Sequence, residues 1–67
     1  MIIFIVNMTI YIYDDATRDY IGELRTAWIK EQIPPGTLII YEKTKYIVVT
    51  SEAQSQPNTF VVTVNAA

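Results

Sequence analysis

The chain has 67 residues, 51% of them apolar, with a net charge of −2 and neither Cys nor His. One domain of this size removes only about 60% of its unfolded surface from water, and disulfides and a Cys/His zinc site cannot reinforce it. The same absences exclude Ser-His-Asp and Cys-His catalysis. The cations Arg18, Arg25, Lys30, Lys43 and Lys45 are scattered rather than striped, which argues against duplex nucleic acid as a partner.

The first segment, Met1-Ile-Ile-Phe-Ile-Val, has no basic flank and is too short to span a bilayer, so a soluble, cytoplasmic protein with no membrane partner is expected. From Ile2 to Ile12 every even position is apolar, whereas the odd positions change from Ile3 and Ile5 to Asn7, Thr9 and Tyr11. This period of two predicts one long strand, covered on both faces at its start and half-exposed later. Met8 also reads as an alternative start, leaving Met1–Asn7 as an appended strand. An uncovered strand that is apolar on both faces would aggregate, so Ile3 and Ile5 are expected in an interchain contact. Trp28 is assigned to the same interface or to the core.

Asp14 to Asp19 is rich in Asx and Thr side chains and predicts a turn. Adjacent Asp14 and Asp15 suit turn formation and solvation better than an acid/base or metal pair. Tyr20 to Leu24 predicts a second strand, with Gly22 as a bulge or a point of close approach. Tyr11, Tyr13 and Tyr20 gather around this turn. The run Tyr11-Ile-Tyr-Asp-Asp-Ala-Thr-Arg-Asp-Tyr-Ile-Gly-Glu23 resembles the Tyr-x-Tyr-Asp-x-x-Thr-Gly-Glu-Tyr-x-Gly hairpin near the start of bacteriophage tail-fibre and tail-fibre-assembly proteins. Arg18-Asp19 stands where those proteins have Gly-Glu, and their proline-rich segment is reduced to Pro34-Pro35. The resemblance implies a phage origin and carries over no functional residue.

Arg25 to Ile33 can be read as a helix of about two turns, which would be marginal without packing, or as the end of the second strand running into a loop. Pro34 and Pro35 close it. Pro34 to Thr50 reads as a stop signal followed by the clearest hairpin, and the chain reads as organised around this stretch. Pairing about Lys43-Thr44 sets Tyr41 opposite Tyr46, Ile39 opposite Val48, Ile40 opposite Ile47 and Glu42 opposite Lys45. Both hairpin faces are apolar, so both need cover, and Ile40 and Ile47 are read as core. The spacing Pro35-Gly-Thr-x-Ile-x-Tyr41, followed by Tyr46-x-Val48, resembles the middle strands of SH3-like barrels.

Ser51 to Asn58 predicts a polar loop, and Thr59 to Val64 a last strand. Asn7-Met8-Thr9 fits a glycosylation site but lies within a strand. The expected fold is mainly β: a five-stranded antiparallel SH3-like small barrel, or a meander, with at most one short helix.

Five Tyr and one Trp are the remaining chemical signal. Tyr41, Lys43, Lys45 and Tyr46, with Arg25, interleave aromatic faces and cations, a composition suited to stacking an anionic planar ligand. No cofactor or metal is called for. The function expected is a non-catalytic phage accessory protein that acts as a homo-oligomer and captures a nucleotide-like ligand or a host protein between subunits. The alternative is a virion or tail component that assembles through its strands.

Overall fold

The computed structural model describes residues 6–28 and 33–67. They form strands β1 (Val6–Asp14), β2 (Tyr20–Trp28), β3 (Leu38–Tyr41), β4 (Thr44–Ala53) and β5 (Thr59–Ala66), with no α-helix among them. The strands make one sheet in the order β2-β1-β5-β4-β3, curled into a half-barrel. No helix among the described residues is long and apolar enough to cross a membrane.

The concave face is the core. The even positions of β1, Met8, Ile10 and Ile12, are buried, as are Phe60, Val62 and Val64 of β5, Val48 of β4 and Ile39 of β3. Ile33, just before the prolines, is buried against the same cluster. Transfer of such side chains from water is the main driving force available to a chain without staples, about 1.5–3 kcal/mol for each fully buried aliphatic residue.

An antiparallel meander is corrected at one pairing. β1 and β5 run parallel, Thr9 beside Thr59 through Asp14 beside Val64, so the sheet is mixed. The all-antiparallel expectation assumed that consecutive strands are neighbours, but β2 and β3 occupy opposite edges of the sheet. The most buried positions of β1 and β5 then lie side by side: Ile12 beside Val62, both fully buried. The sheet is centred on β5, and the hairpin that organises the sequence is an edge.

The helical option for residues 25–33 fails over its first half. Arg25, Thr26, Ala27 and Trp28 continue β2, opposite Thr9, Met8, Asn7 and Val6. A two-turn helix carries a nucleation cost that an existing strand template avoids. Residues 29–32 lie outside the described residues, as do Ile3 and Ile5 with their expected interface.

The hairpin register also differs. Leu38 lies opposite Ile47, Ile39 opposite Tyr46, Ile40 opposite Lys45 and Tyr41 opposite Thr44, so the turn is Glu42-Lys43 and the Glu42/Lys45 pair is lost. Both turn residues have positive φ, 48° and 67°, as a type I′ turn requires. The anchor lies at the other end of β3. Pro35 and Gly36 form the centre of a turn, with Gly36 at φ 90° and the Thr37 N–H donating to the Pro34 carbonyl. Gly36 N–H donates to the Val48 carbonyl and Val48 N–H to the Thr37 carbonyl. Val48 is also opposite Val64 on β5, so tertiary pairing sets the hairpin's start and the turn follows from it.

β4 extends through Ser51, Glu52 and Ala53, which the polarity of Ser51–Asn58 had assigned to a loop. They pair with Val62, Val61 and Phe60. A bulge at Val49 precedes them.

Candidate functional site

The residues singled out from sequence are distributed over both sides of the sheet. Alternation along β3 and β4 turns Tyr41 and Tyr46 to the concave face, where both pack against the core cluster. Tyr46 is opposite Ile39 and Ala66, not Tyr41. Lys45 is opposite Ile40 on the convex face, and Lys43 occupies the turn. Arg25 is on the convex side of β2, beside Thr9, with its guanidinium 3.6 Å from the Glu23 carboxylate. Hence the tyrosines are separated from Lys45 and Arg25 by the sheet itself. Trp28 is the last residue of β2.

A different aromatic group does gather. Tyr13 and Tyr20 are directly paired across β1 and β2, with ring centroids 5.3 Å apart and planes tilted by 60°. The bulge at Ile21-Gly22 allows this by turning Tyr20 outward and Ile21 toward the core. Loss of water around its ring pushes the Tyr20 phenol above its ordinary pKa, and the charges of Glu23, Tyr41, Tyr13 and Tyr11 add to the effect. Tyr41 is near because its ring lies over Gly22, where any Cβ would collide with it.

The turn carboxylates are structural. Asp14 Oδ1 accepts from Ala16 N–H at 2.9 Å and Thr17 N–H at 3.0 Å. The Thr17 N–H holds the carboxyl below the usual Asp pKa, against a smaller opposing effect of desolvation and with further help from Ala16 N–H and the Thr17 hydroxyl. Asp15 accepts from the Thr63 hydroxyl at 2.9 Å, which is also 2.7 Å from the Thr50 hydroxyl, tying the turn to β5 and β4. Among the described residues no three His, Cys, Asp or Glu side chains converge as metal ligands would.

Among the described residues, the feature without a structural partner is the β3 edge. Leu38, Ile40 and Ile47 turn to the convex face and are 52%, 58% and 41% exposed. Sequence reading had assigned Ile40 and Ile47 to the core. Both hairpin faces are apolar, but the described residues bury the concave one and leave Leu38, Ile40 and Ile47 exposed on the other. A two-residue turn makes Tyr41/Thr44 a hydrogen-bonded pair, and the bond from Val48 N–H to the Thr37 carbonyl continues that alternation. Leu38 and Ile40 therefore direct their N–H and C=O groups away from β4. No described strand pairs with them, because β2, the other edge, is not hydrogen-bonded to β3.

Between the two edges lies a groove of about 270 Å³ lined by Leu24, Thr26, Ile33, Leu38, Ile39 and Ile40, with Ile10 at its floor. Tyr41 over Gly22 closes one end of this seam. Its volume is at the lower limit for small-molecule pockets, and among the described residues of its lining Thr26 and Thr37 carry the polar side chains. In comparisons with family models, curated proteins and solved structures, the chain matches none.

Proposed function

We propose that the protein is a non-catalytic β module that works by association, foremost with copies of itself, and holds its partners at the β3 edge. The observation that carries this reading is the exposed apolar triad Leu38, Ile40 and Ile47 beside a strand edge that no other described strand pairs with. Flat apolar edges of this kind template pairing with another chain unless charge, proline or a covering element blocks them. Among the described residues, Lys45 is the charge that interrupts the patch. The turn-bound Asp14 and Asp15, together with a composition free of His and Cys, favour binding over catalysis.

A protein partner is favoured over a nucleotide, because Tyr41 and Tyr46 lie on the face of the sheet opposite Lys45 and Arg25. Sedimentation equilibrium of the full chain at tens of micromolar tests the reading. A concentration-dependent multimer is expected, weakened by Ile40→Lys with the circular dichroism of the fold retained. A monomer throughout that range overturns it.

A further inference from the structure

We infer that Tyr13 and Tyr20 are a site of oxidative cross-linking, where a haem peroxidase supplied with hydrogen peroxide joins β1 to β2 through a dityrosine bond. The two phenols belong to directly paired residues of neighbouring strands, with ring centroids 5.3 Å apart and planes at 60°. Cross-strand aromatic pairs also serve simply to hold hairpins together, so adjacency by itself is a packing feature. Three further observations make this pair a reactive one. Tyr20 is 55% exposed, within reach of a peroxidase and with room to turn, whereas Tyr13 is half-buried beside it. The turn between them is fastened: Asp14 N–H donates to the Asp19 carbonyl, Arg18 N–H to the Asp14 carbonyl and Asp15 N–H to the Val64 carbonyl of β5, each at 2.9 Å. The chain also has no Cys thiolate to intercept an oxidant, and the Met8 thioether is buried.

Oxidation at Tyr20 removes one electron, and the phenolic proton passes to water, leaving a phenoxyl radical. Transfer of an electron and a proton from the Tyr13 phenol, a group of the same chemistry at contact range, restores Tyr20 and moves the radical inward. A second oxidation of the exposed Tyr20 then sets two radicals side by side. The ring carbons ortho to their oxygens join in one C–C bond, and turning of the exposed Tyr20 ring closes the tilt that separates them. The hydrogens displaced from those two carbons return to the oxygens by proton exchange with water, so both rings regain aromaticity. The protein has then lost two hydrogens, and the peroxide that accepted them has become two waters.

The pair is selected by geometry. Within one chain the partner ring is always adjacent, whereas a second chain at micromolar concentration must first diffuse to it, so the intramolecular bond outruns dimer formation. Tyr41 and Tyr46 pack on the concave side, Tyr41 over Gly22, away from the convex pair. Tyr11 shares the convex face with Tyr13 by alternation, but its partner across β2 is Glu23. The bond fixes the register beside the Ile21-Gly22 bulge and ties an edge strand to β1, giving a chain without disulfides a covalent staple.

The test treats the full chain at micromolar concentration with a haem peroxidase and hydrogen peroxide. Dityrosine fluorescence should appear in a product that runs as a single chain on a denaturing gel, is lighter by two hydrogens and unfolds at a higher temperature than the untreated chain. Trypsin cuts after Arg18, between the two tyrosines, so peptides 1–18 and 19–25 should remain joined, and Tyr20 is the tyrosine of the second peptide. Tyr13→Phe and Tyr20→Phe, which keep the packed rings, should each abolish the bond with the circular dichroism of the fold retained. Tyr11→Phe should leave it in place. Covalent dimers instead of the intramolecular product, a bond that survives Tyr13→Phe, or oxidation confined to other residues would each overturn the inference.

Discussion

Gly22 is the residue on which closure of the seam depends. Its missing side chain is the space taken by the Tyr41 ring, so a Cβ there and that ring cannot coexist in their present positions. Gly22→Val should force the ring outward and cost about 1–3 kcal/mol, the usual range for overpacking. In a Tyr41→Ala background the same substitution should cost much less, because the obstacle is gone. Urea unfolding of the two single variants and the double variant checks the coupling, and strict additivity would contradict the contact. Asp14 gives a second prediction at this scale. Its folded pKa is lowered, chiefly by the Thr17 N–H, so the unfolded chain binds the proton more readily. Its stabilising contribution is complete above the ordinary Asp value of about 3.9 and is lost as pH falls through the lower folded value. Thermal midpoints measured downward from about pH 4 should fall more steeply for the native chain than for Asp14→Ala. Equal slopes would dismiss the carboxylate's role.

At the scale of the element, the β3/β4 hairpin separates residues that composition treats alike. Ile39 and Ile40 are neighbours of identical chemistry, yet Ile39 is 6% exposed and Ile40 58%. Ile39→Ala should cost about 2–5 kcal/mol through lost transfer energy and the cavity left behind. Ile40→Ala should change the stability of the dissociated chain by no more than about 0.5 kcal/mol. Chemical denaturation at low protein concentration measures both, and equal costs would mean that the convex face is covered within a single chain. The contrast follows from the Pro35-Gly36 turn and the bonds of Gly36 and Thr37 to Val48, which set β3's register from its beginning. It also explains why two left-handed residues are accepted at Glu42-Lys43. The penalty of roughly 1–2 kcal/mol for each is outweighed by keeping Ile39, Tyr41 and Val48 on the core side.

For the whole molecule, the decisive pairing is also the most distant in sequence. β1 meets β5 along six residue pairs from Thr9/Thr59 to Asp14/Val64, so the centre of the sheet cannot form until both ends of the chain have come together. Loop-closure entropy must be met before that contact yields any stabilisation. Folding should therefore fall in the millisecond-to-second range typical of small sheets rich in non-local contacts. Stopped-flow circular dichroism on dilution from denaturant checks this, and a microsecond relaxation would contradict the central parallel pair. The same arrangement leaves β2 and β3 as the two edges of one seam, which is why the surface proposed for association comprises an apolar groove as well as exposed side chains.

Much of the local structure was legible in the residues. The alternation Met8, Ile10, Ile12 and Phe60, Val62, Val64 identified the buried faces of β1 and β5, because a strand has a side-chain period of two wherever it lies. Asp14 to Asp19 identified a turn, because Asx hydrogen bonding is a property of single residues, and Pro34-Pro35 marked the end of the segment before β3. The close approach at Gly22 and the mainly β class followed from the same kind of evidence. Strand order depends instead on which segments meet, and the parallel neighbouring of β1 and β5, the register set at Val48 and the continuation of β4 into a polar run were decided in three dimensions. For the candidate site, composition revealed that the β3/β4 hairpin is apolar on both faces and needs cover on both. Only tertiary structure decided which face this chain covers: curling the sheet encloses one side of β3 and leaves Leu38, Ile40 and Ile47 on the other.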